Sequence, residues 1–229
     1  VSALFITSFS WRNPHRKVMG GKPSSPPPPP PLLDEPWLQM EWGGRDTDLQ
    51  FIKDYTPTAD GQQQFRILLH GPVGAGKSSF INSVISSLEG RICHRAVAFN
   101  TGQSGFTKQY KTYRIQTGNQ ENMSPLVLND MMGLENINLR HRRVHVKDVK
   151  KAMKGRIKDG YKFNPDCGLS ETDPFYNKTP NVNDKVHFLV SVINADKVHL
   201  LADNVVEIIQ EIRDEATDLG EKTFIYKKL

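Results

Sequence analysis

The segment Gly71-Pro72-Val73-Gly74-Ala75-Gly76-Lys77-Ser78 constrains the fold of this chain more than any other. It fits G-x-x-x-x-G-K-[ST], the Walker A pattern, in which each fixed position has a job on a phosphate. Glycines let consecutive backbone N–H groups curl around a β-phosphate, the lysine reaches the β- and γ-phosphates, and the serine hydroxyl can ligate Mg²⁺. The helix that starts there turns its positive end toward the anion. The flanks agree. Phe65-Arg66-Ile67-Leu68-Leu69-His70 is a short apolar run suited to a buried strand, and residues 79–88 carry apolar side chains at helical spacing before Gly90. Gly71, Val73, Gly74, Ala75, Gly76, Lys77, Ser78 and Ser79 are therefore candidate nucleotide-binding residues. The alternative is a glycine turn between strand and helix with no ligand.

Strands and helices alternate after this loop. Tyr110–Ile115 alternates like an edge or hairpin strand, Leu126-Val127-Leu128 reads as a buried strand ending at Asn129-Asp130, and residues 146–157 form a plausible helix. Residues 186–193 make the best central strand, 205–219 a helix with apolar positions 206, 209, 212 and 216, and 223–226 a last strand. The order predicts an α/β P-loop NTPase fold with a mostly parallel sheet flanked by helices, its ligand at the strand carboxyl ends.

A strand ending in an acid suits a Walker B element, so Asp130 is a candidate to hold Mg²⁺ together with Ser78. Asp130-Met131-Met132-Gly133 also fits D-x-x-G, which makes Gly133 a candidate γ-phosphate sensor. An ordinary turn after a strand is the competing reading. Thr101, Thr107 and Thr112 are candidates for a switch threonine on the metal, and Thr107 is favoured because it precedes the Tyr110 strand. No [NT]-K-x-D segment for choosing guanine is present. Asn194-Ala195-Asp196-Lys197 has its letters in the wrong order and reads as a turn. Leu134 stands where many GTPases carry a glutamine that orients the attacking water, so slow hydrolysis is expected and no catalytic residue is assigned. Glu135 or a group supplied in trans could replace it.

Composition narrows the class. No apolar run approaches the about 18 residues needed to cross a bilayer, and the two cysteines, Cys93 and Cys167, lack metal-ligand spacing. Lone thiols fit a reducing, cytoplasmic location. The net charge of +5 is concentrated: residues 140–162 hold ten Lys/Arg against Asp148 and Asp159 and are +8 alone, leaving the remainder at −3. Such a segment could face an acidic protein, although a solvated helix face is the plainer explanation. Only Tyr161 and Phe163 are interleaved with it, so base stacking, and nucleic acid as a partner, is not expected. Pro26–Pro31 is an unbroken proline run that must be extended, either a stiff spacer or a ligand for a proline-recognising domain. The expected organisation is a disordered, proline-rich segment over 1–34, an aromatic linker over 35–45, and a P-loop domain over 46–229. The chain opens on Val1 without a convincing leader peptide, and reads as part of a longer protein.

Several separated segments together resemble the interferon-induced protein 44 and 44-like family. They are Leu68 through Ser83, Phe106-Thr107-Lys108-Gln109-Tyr110-Lys111-Thr112-Tyr113, Asp130-Met131-Met132-Gly133-Leu134-Glu135, Asp159-Gly160-Tyr161-Lys162-Phe163-Asn164-Pro165 and Asp184-Lys185-Val186-His187. The resemblance runs from about Glu35 to Gly220. It implies a cytoplasmic, interferon-responsive protein with a GTPase-like domain, GTP or GDP with Mg²⁺ as ligands, and a role in immune or antiviral response. Family members usually show a T-K-x-D type segment soon after the position of Gly220. Here Glu221–Leu229 stands instead, so the domain looks incomplete at its C-terminus. An ATP-using P-loop enzyme and a non-catalytic interaction module on the same fold are the other readings.

Overall fold

The computed structural model describes residues 3–6, 45–55, 63–97, 109–116, 123–134, 139–220 and 222–228. Its elements in chain order are β1 (Ala3–Ile6), α1 (Arg45–Asp54), β2 (Phe65–His70), α2 (Lys77–Glu89), β3 (Lys111–Gln116), β4 (Met123–Asp130), α3 (Leu139–Met153), β5 (Phe188–Asn194), a 3-10 helix (Ala195–Leu200), α4 (Asp203–Asp218) and β6 (Lys222–Lys228). The strands form one sheet in the order β1-β6-β5-β2-β4-β3. The inner four, β6, β5, β2 and β4, are mutually parallel. The outer two, β1 and β3, run antiparallel to their neighbours. This is the expected α/β architecture.

Both sheet faces are covered, which is why β2 and β5 read as nearly continuous apolar runs. Leu69, Leu128, Val190 and Val192 pack with Ile81, Ile85 and Leu88 of α2 on one face. Leu68, Leu189 and Ile193 pack with Val146, Val149 and Met153 of α3 and with Ile208 and Ile212 of α4 on the other. Successive strand residues point to opposite faces, so Leu68 and Leu69 serve different cores.

Three boundaries differ from the sequence expectation. The chain entering the sheet at Ala3–Ile6 lies inside the segment expected to be disordered, because this apolar tetrapeptide can complete the open edge of β6 by antiparallel pairing. The proline run, residues 35–44 of the aromatic linker, Thr101, Thr107 and Glu135 lie outside the described residues, and Arg45, expected to end the linker, opens α1. Helix α3 starts seven residues earlier than expected and ends at Met153, not at residue 157. Its end is set at Gly155, whose φ of +71° is left-handed and whose position leaves 2.7 Å between a Cβ and the Asp184 backbone.

After α3 the chain makes a long irregular excursion before β5, which sequence periodicity left unassigned. It is anchored, not loose. Tyr110 N donates to Tyr161 O and Gly160 N donates to Tyr110 O, each at 2.8 Å, while Asp159 Oδ1 accepts from Thr112 N at 2.6 Å. These bonds cover the start of β3, an edge strand that otherwise exposes unpaired backbone groups. Tyr161 also donates its hydroxyl to Asp148 Oδ2 of α3 at 2.9 Å. Burial raises the Asp148 carboxyl, opposed by its bonds from Tyr161 and Leu169 N.

Candidate functional site

The loop joining β2 to α2 and the end of β4 meet at one corner of the sheet. Parallel pairing sets Leu69 beside Asp130, so the acid stands abreast of the residue two places before the loop. Alternation then turns Asp130 toward the α2 face and Asn129 to the opposite one. Ser78 Oγ, in the first turn of α2, donates to Asp130 Oδ2 at 2.9 Å, and Asp130 is buried. Lys77 Nζ curls back to donate to Gly71 O and Pro72 O, both at 3.0 Å. Burial pulls Lys77 down to about 8, and the nearby Asp130 charge opposes that shift.

The glycines have distinct duties. Gly76 precedes α2 in left-handed geometry with φ of 101°. Gly74 has φ of +74° and no atom within 4 Å of where a Cβ would stand, so it faces open space. Gly71 is different: with φ of +139°, a Cβ there would lie 2.1 Å from Val192 O of β5. Its freedom is needed for the loop to cross β5. A Cβ on Gly133 would lie 2.7 Å from Val73 Cγ2 and 3.0 Å from Lys77 Nζ, so D-x-x-G sits directly against the loop. Ala75 is buried and belongs to the α2-side core, Val73 is exposed on the crown, and Ser79 accepts from Ser83 Oγ through its carbonyl at 3.0 Å.

Gly71, Val73, Gly74, Ala75, Gly76, Lys77, Ser78, Asp130 and Gly133 thus occupy one corner. Thr112 does not join them: its Oγ1 donates to Asn129 Oδ1 at 3.1 Å on the other face of the sheet, where Arg66 also donates to that oxygen at 3.0 Å. Asn194 caps the 3-10 helix, its Oδ1 accepting from Asp196 N at 3.0 Å, which fits the turn expected there. The oxygens of Ser78 and Asp130 are hard donors in reach of each other, a set that suits Mg²⁺.

Sequence reasoning missed a histidine pair beneath the loop. His70, the last residue of β2, and His145 of α3 are both buried, with Nε2 atoms 3.4 Å apart. One ring must donate and the other accept, so the contact holds with both neutral. Burial is the main cause that lowers both, His70 well below its ordinary value and His145 to about 4; the Lys77 ammonium adds to each shift. The available signal was the placement of His145, Asp148 and Val149 at helical spacing on one face of α3.

Part of the basic segment is paired with acids within the chain. Arg142 donates to Glu207 Oε2 at 2.6 Å and to Glu211 Oε2 at 2.9 and 3.1 Å. Lys150 pairs with Glu215, also on α4. Arg156 donates to the carbonyls of Asn177 and Lys178. Arg143, Lys147 and Lys154 face solvent.

A strand–loop–helix corner carrying the lysine and serine, with an acid and a D-x-x-G glycine converging from the neighbouring parallel strand, defines a P-loop α/β protein. No family model matches the chain. Curated proteins narrow the class. Interferon-induced protein 44 of Pan troglodytes is 32% identical over 176 residues, covering 77% of this chain and 39% of that protein. The Mus musculus protein of the same name is 36% identical over 173 residues, with 75% and 40% covered. Interferon-induced protein 44-like of Homo sapiens is 30% identical over 176 residues, with 77% and 38% covered. The chain is a homologue of the interferon-induced protein 44 and 44-like proteins, and it spans about two fifths of the length of the curated relatives it matches. Among solved structures, the signal recognition particle receptor SRb-GTP/SRX complex from Chaetomium thermophilum is a distant likeness. Its TM-score is 0.36 at 12% identity, covering 66% of this chain and 62% of that one. No helix among the described residues is long and apolar enough to cross a membrane.

Proposed function

We propose that this region binds a guanine nucleotide with Mg²⁺ in the cytoplasm, hydrolyses it slowly or not at all, and acts in an interferon-linked immune or antiviral response. The observation that carries this reading is the convergence of Lys77, Ser78, Asp130 and Gly133 at the end of β2 and β4. Lys77 would hold the β- and γ-phosphates and the α2 N-terminus would face them. Ser78 and Asp130 would hold the metal, which supplies charge neutralisation of the phosphates when bound. Thr107 remains the proposed switch threonine. The preference for guanine rests on the D-x-x-G pattern and the family resemblance. Slow turnover is supported by Leu134, whose side chain is buried and has no group to orient a water. The exposed side of α3 and the proline run are the proposed surfaces for protein partners.

The test is binding of fluorescent GTP and ATP to the full chain with Mg²⁺, alongside Lys77→Ala. Saturable GTP binding that weakens by at least about tenfold in the variant is expected. A folded wild-type protein that binds neither nucleotide would sink the reading. Equal ATP binding would remove the guanine assignment and leave the P-loop one.

A further inference from the structure

We infer that the solvent faces of α3 and α4 together form a self-association surface whose partner is a second copy of this chain. The inference names a partner for the α3 surface proposed above and does not depend on nucleotide. Arg143, Lys147, Lys150 and Lys154 fall at i, i+4, i+7 and i+11, so they make one stripe along α3. The stripe points away from the sheet, because Val149, Ala152 and Met153 turn the other side of the helix into the core. Asp203, Glu207, Gln210 and Asp214 repeat the same spacing on α4, Asp218 extends it, and Ile208, Ile212 and Ala216 turn inward. Two neighbouring helices thus present stripes of opposite charge. Arg143, Lys147, Lys154, Asp203, Asp214 and Asp218 are all exposed, and none forms an ion pair among the described residues.

The ion pairs already made fix how the helices lie. Arg142 meets Glu207 and Glu211, and Lys150, further along α3, meets Glu215, further along α4, so the two helices run in the same direction. Arg142 stands level with the turn between Glu207 and Glu211, which sets Lys147 level with Asp214 and Lys154 by the end of α4 at Asp218. A closed dimer of identical chains uses a two-fold axis. An axis parallel to the helices lays α3 of each copy over α4 of the other and keeps every residue at its own level. Lys147 then faces Asp214 of the second copy, Lys154 faces the end of its α4, and each contact occurs twice. An axis across the helices sets basic α3 against α3 and acidic α4 against α4, which like charges oppose. Charge therefore selects one arrangement. Exposed pairs each contribute little, so the association is weak, and salt screens it.

Sedimentation equilibrium of the full chain tests this. A reversible dimer is expected in about 50 mM salt, with a dissociation constant that rises at least about tenfold in 500 mM salt. Lys147→Glu with Lys154→Glu should be monomeric, and so should Asp214→Lys with Asp218→Lys. A one-to-one mixture of these two folded variants should dimerise again, because reversal on both sides restores both seams. A wild-type chain still monomeric at about 200 μM in low salt overturns the inference. Variants that dimerise like the wild type place the contact on another surface and overturn it too. So does a mixture that stays monomeric. A monomeric wild-type chain that binds vesicles of anionic lipid, and loses them with the α3 variant, overturns it in favour of a membrane. The measurement uses no nucleotide, so its failure leaves the proposed nucleotide site standing, and a chain that binds no GTP can still dimerise.

Discussion

At the P-loop corner, Lys77, Ser78 and Asp130 from two elements gather at one spot, whereas along α3 each of Arg142, Lys150 and Lys151 reaches a different acid. Both regions are conspicuous in the sequence, one by motif and one by charge. Their fates differ because a motif specifies spacing and a charge run specifies only composition. Strand, tight loop and helix leave the lysine and serine little choice of direction. Ten basic residues on an amphipathic segment can point anywhere, and the acids of α4 decide where two of them, Arg142 and Lys150, go.

The largest expected effect breaks the corner itself. Gly71→Ala should destabilise the protein by about 3 kcal/mol or more, because the new methyl overlaps a backbone carbonyl of β5 that cannot step aside. Gly74→Ala should cost about 1 kcal/mol, from left-handed strain alone. Urea denaturation of both variants checks the contrast, and equal losses would mean that Gly71 does not approach β5 closely.

Next comes the histidine pair that joins the corner to α3. Both imidazoles are held below the ordinary 6.5, so the unfolded chain binds protons in a window where the native one does not. Stability should therefore be full above about pH 6.5 and fall toward pH 4, by on the order of 3 kcal/mol for His145 alone. His145→Gln should flatten that slope in denaturation curves taken across the window. An identical pH dependence in the variant would show that His145 is not buried neutral.

Lys77 gives a smaller effect in the opposite pH range. Its charge, which phosphate needs, is lost as pH rises through about 8 in the unliganded protein. Nucleotide affinity should fall about fivefold to tenfold between pH 7.5 and 9, measured by titration in matched buffers. Constant affinity would place the lysine in a wetter setting than the corner provides.

The smallest effect belongs to α3. Arg142→Ala should cost no more than about 1 kcal/mol, since Glu207 and Glu211 keep 61% and 43% of their side-chain surfaces exposed and water screens the pairs. A loss comparable to that of Gly71→Ala would erase the distinction between the two regions.

Much of the architecture was legible beforehand. Strands β2, β3, β4, β5 and β6, the stop of α2 at Gly90, and the acid at the end of β4 all follow from apolar periodicity and breaker residues. The boundaries of α3 were not, because its amphipathic pattern continues past Met153 and only the contact of Gly155 with Asp184 ends it. The excursion to β5 was not legible either, since its order comes from Tyr110, Tyr161 and Asp148 meeting across separate elements. At the site, Lys77, Ser78 and Asp130 were readable from motif and strand end, and Leu134 from its place after D-x-x-G, while His70 looked like an ordinary residue of an apolar strand and the bonds of Leu134 to Gly71 and Val73 left no sign in the sequence.

By itself the sequence determined a P-loop between a buried strand and a helix, a mostly parallel α/β order, and an acid at the end of a later apolar strand. These depend on neighbours in the chain, where a few dihedral angles and a short repeat decide the geometry. Only the tertiary structure decided that Gly71 serves β5, that His70 meets His145, that Leu134 ties Gly133 to the loop, and that α4 neutralises part of α3. Each of those is a contact between residues distant in sequence, and such contacts exist only once the sheet has brought their elements together.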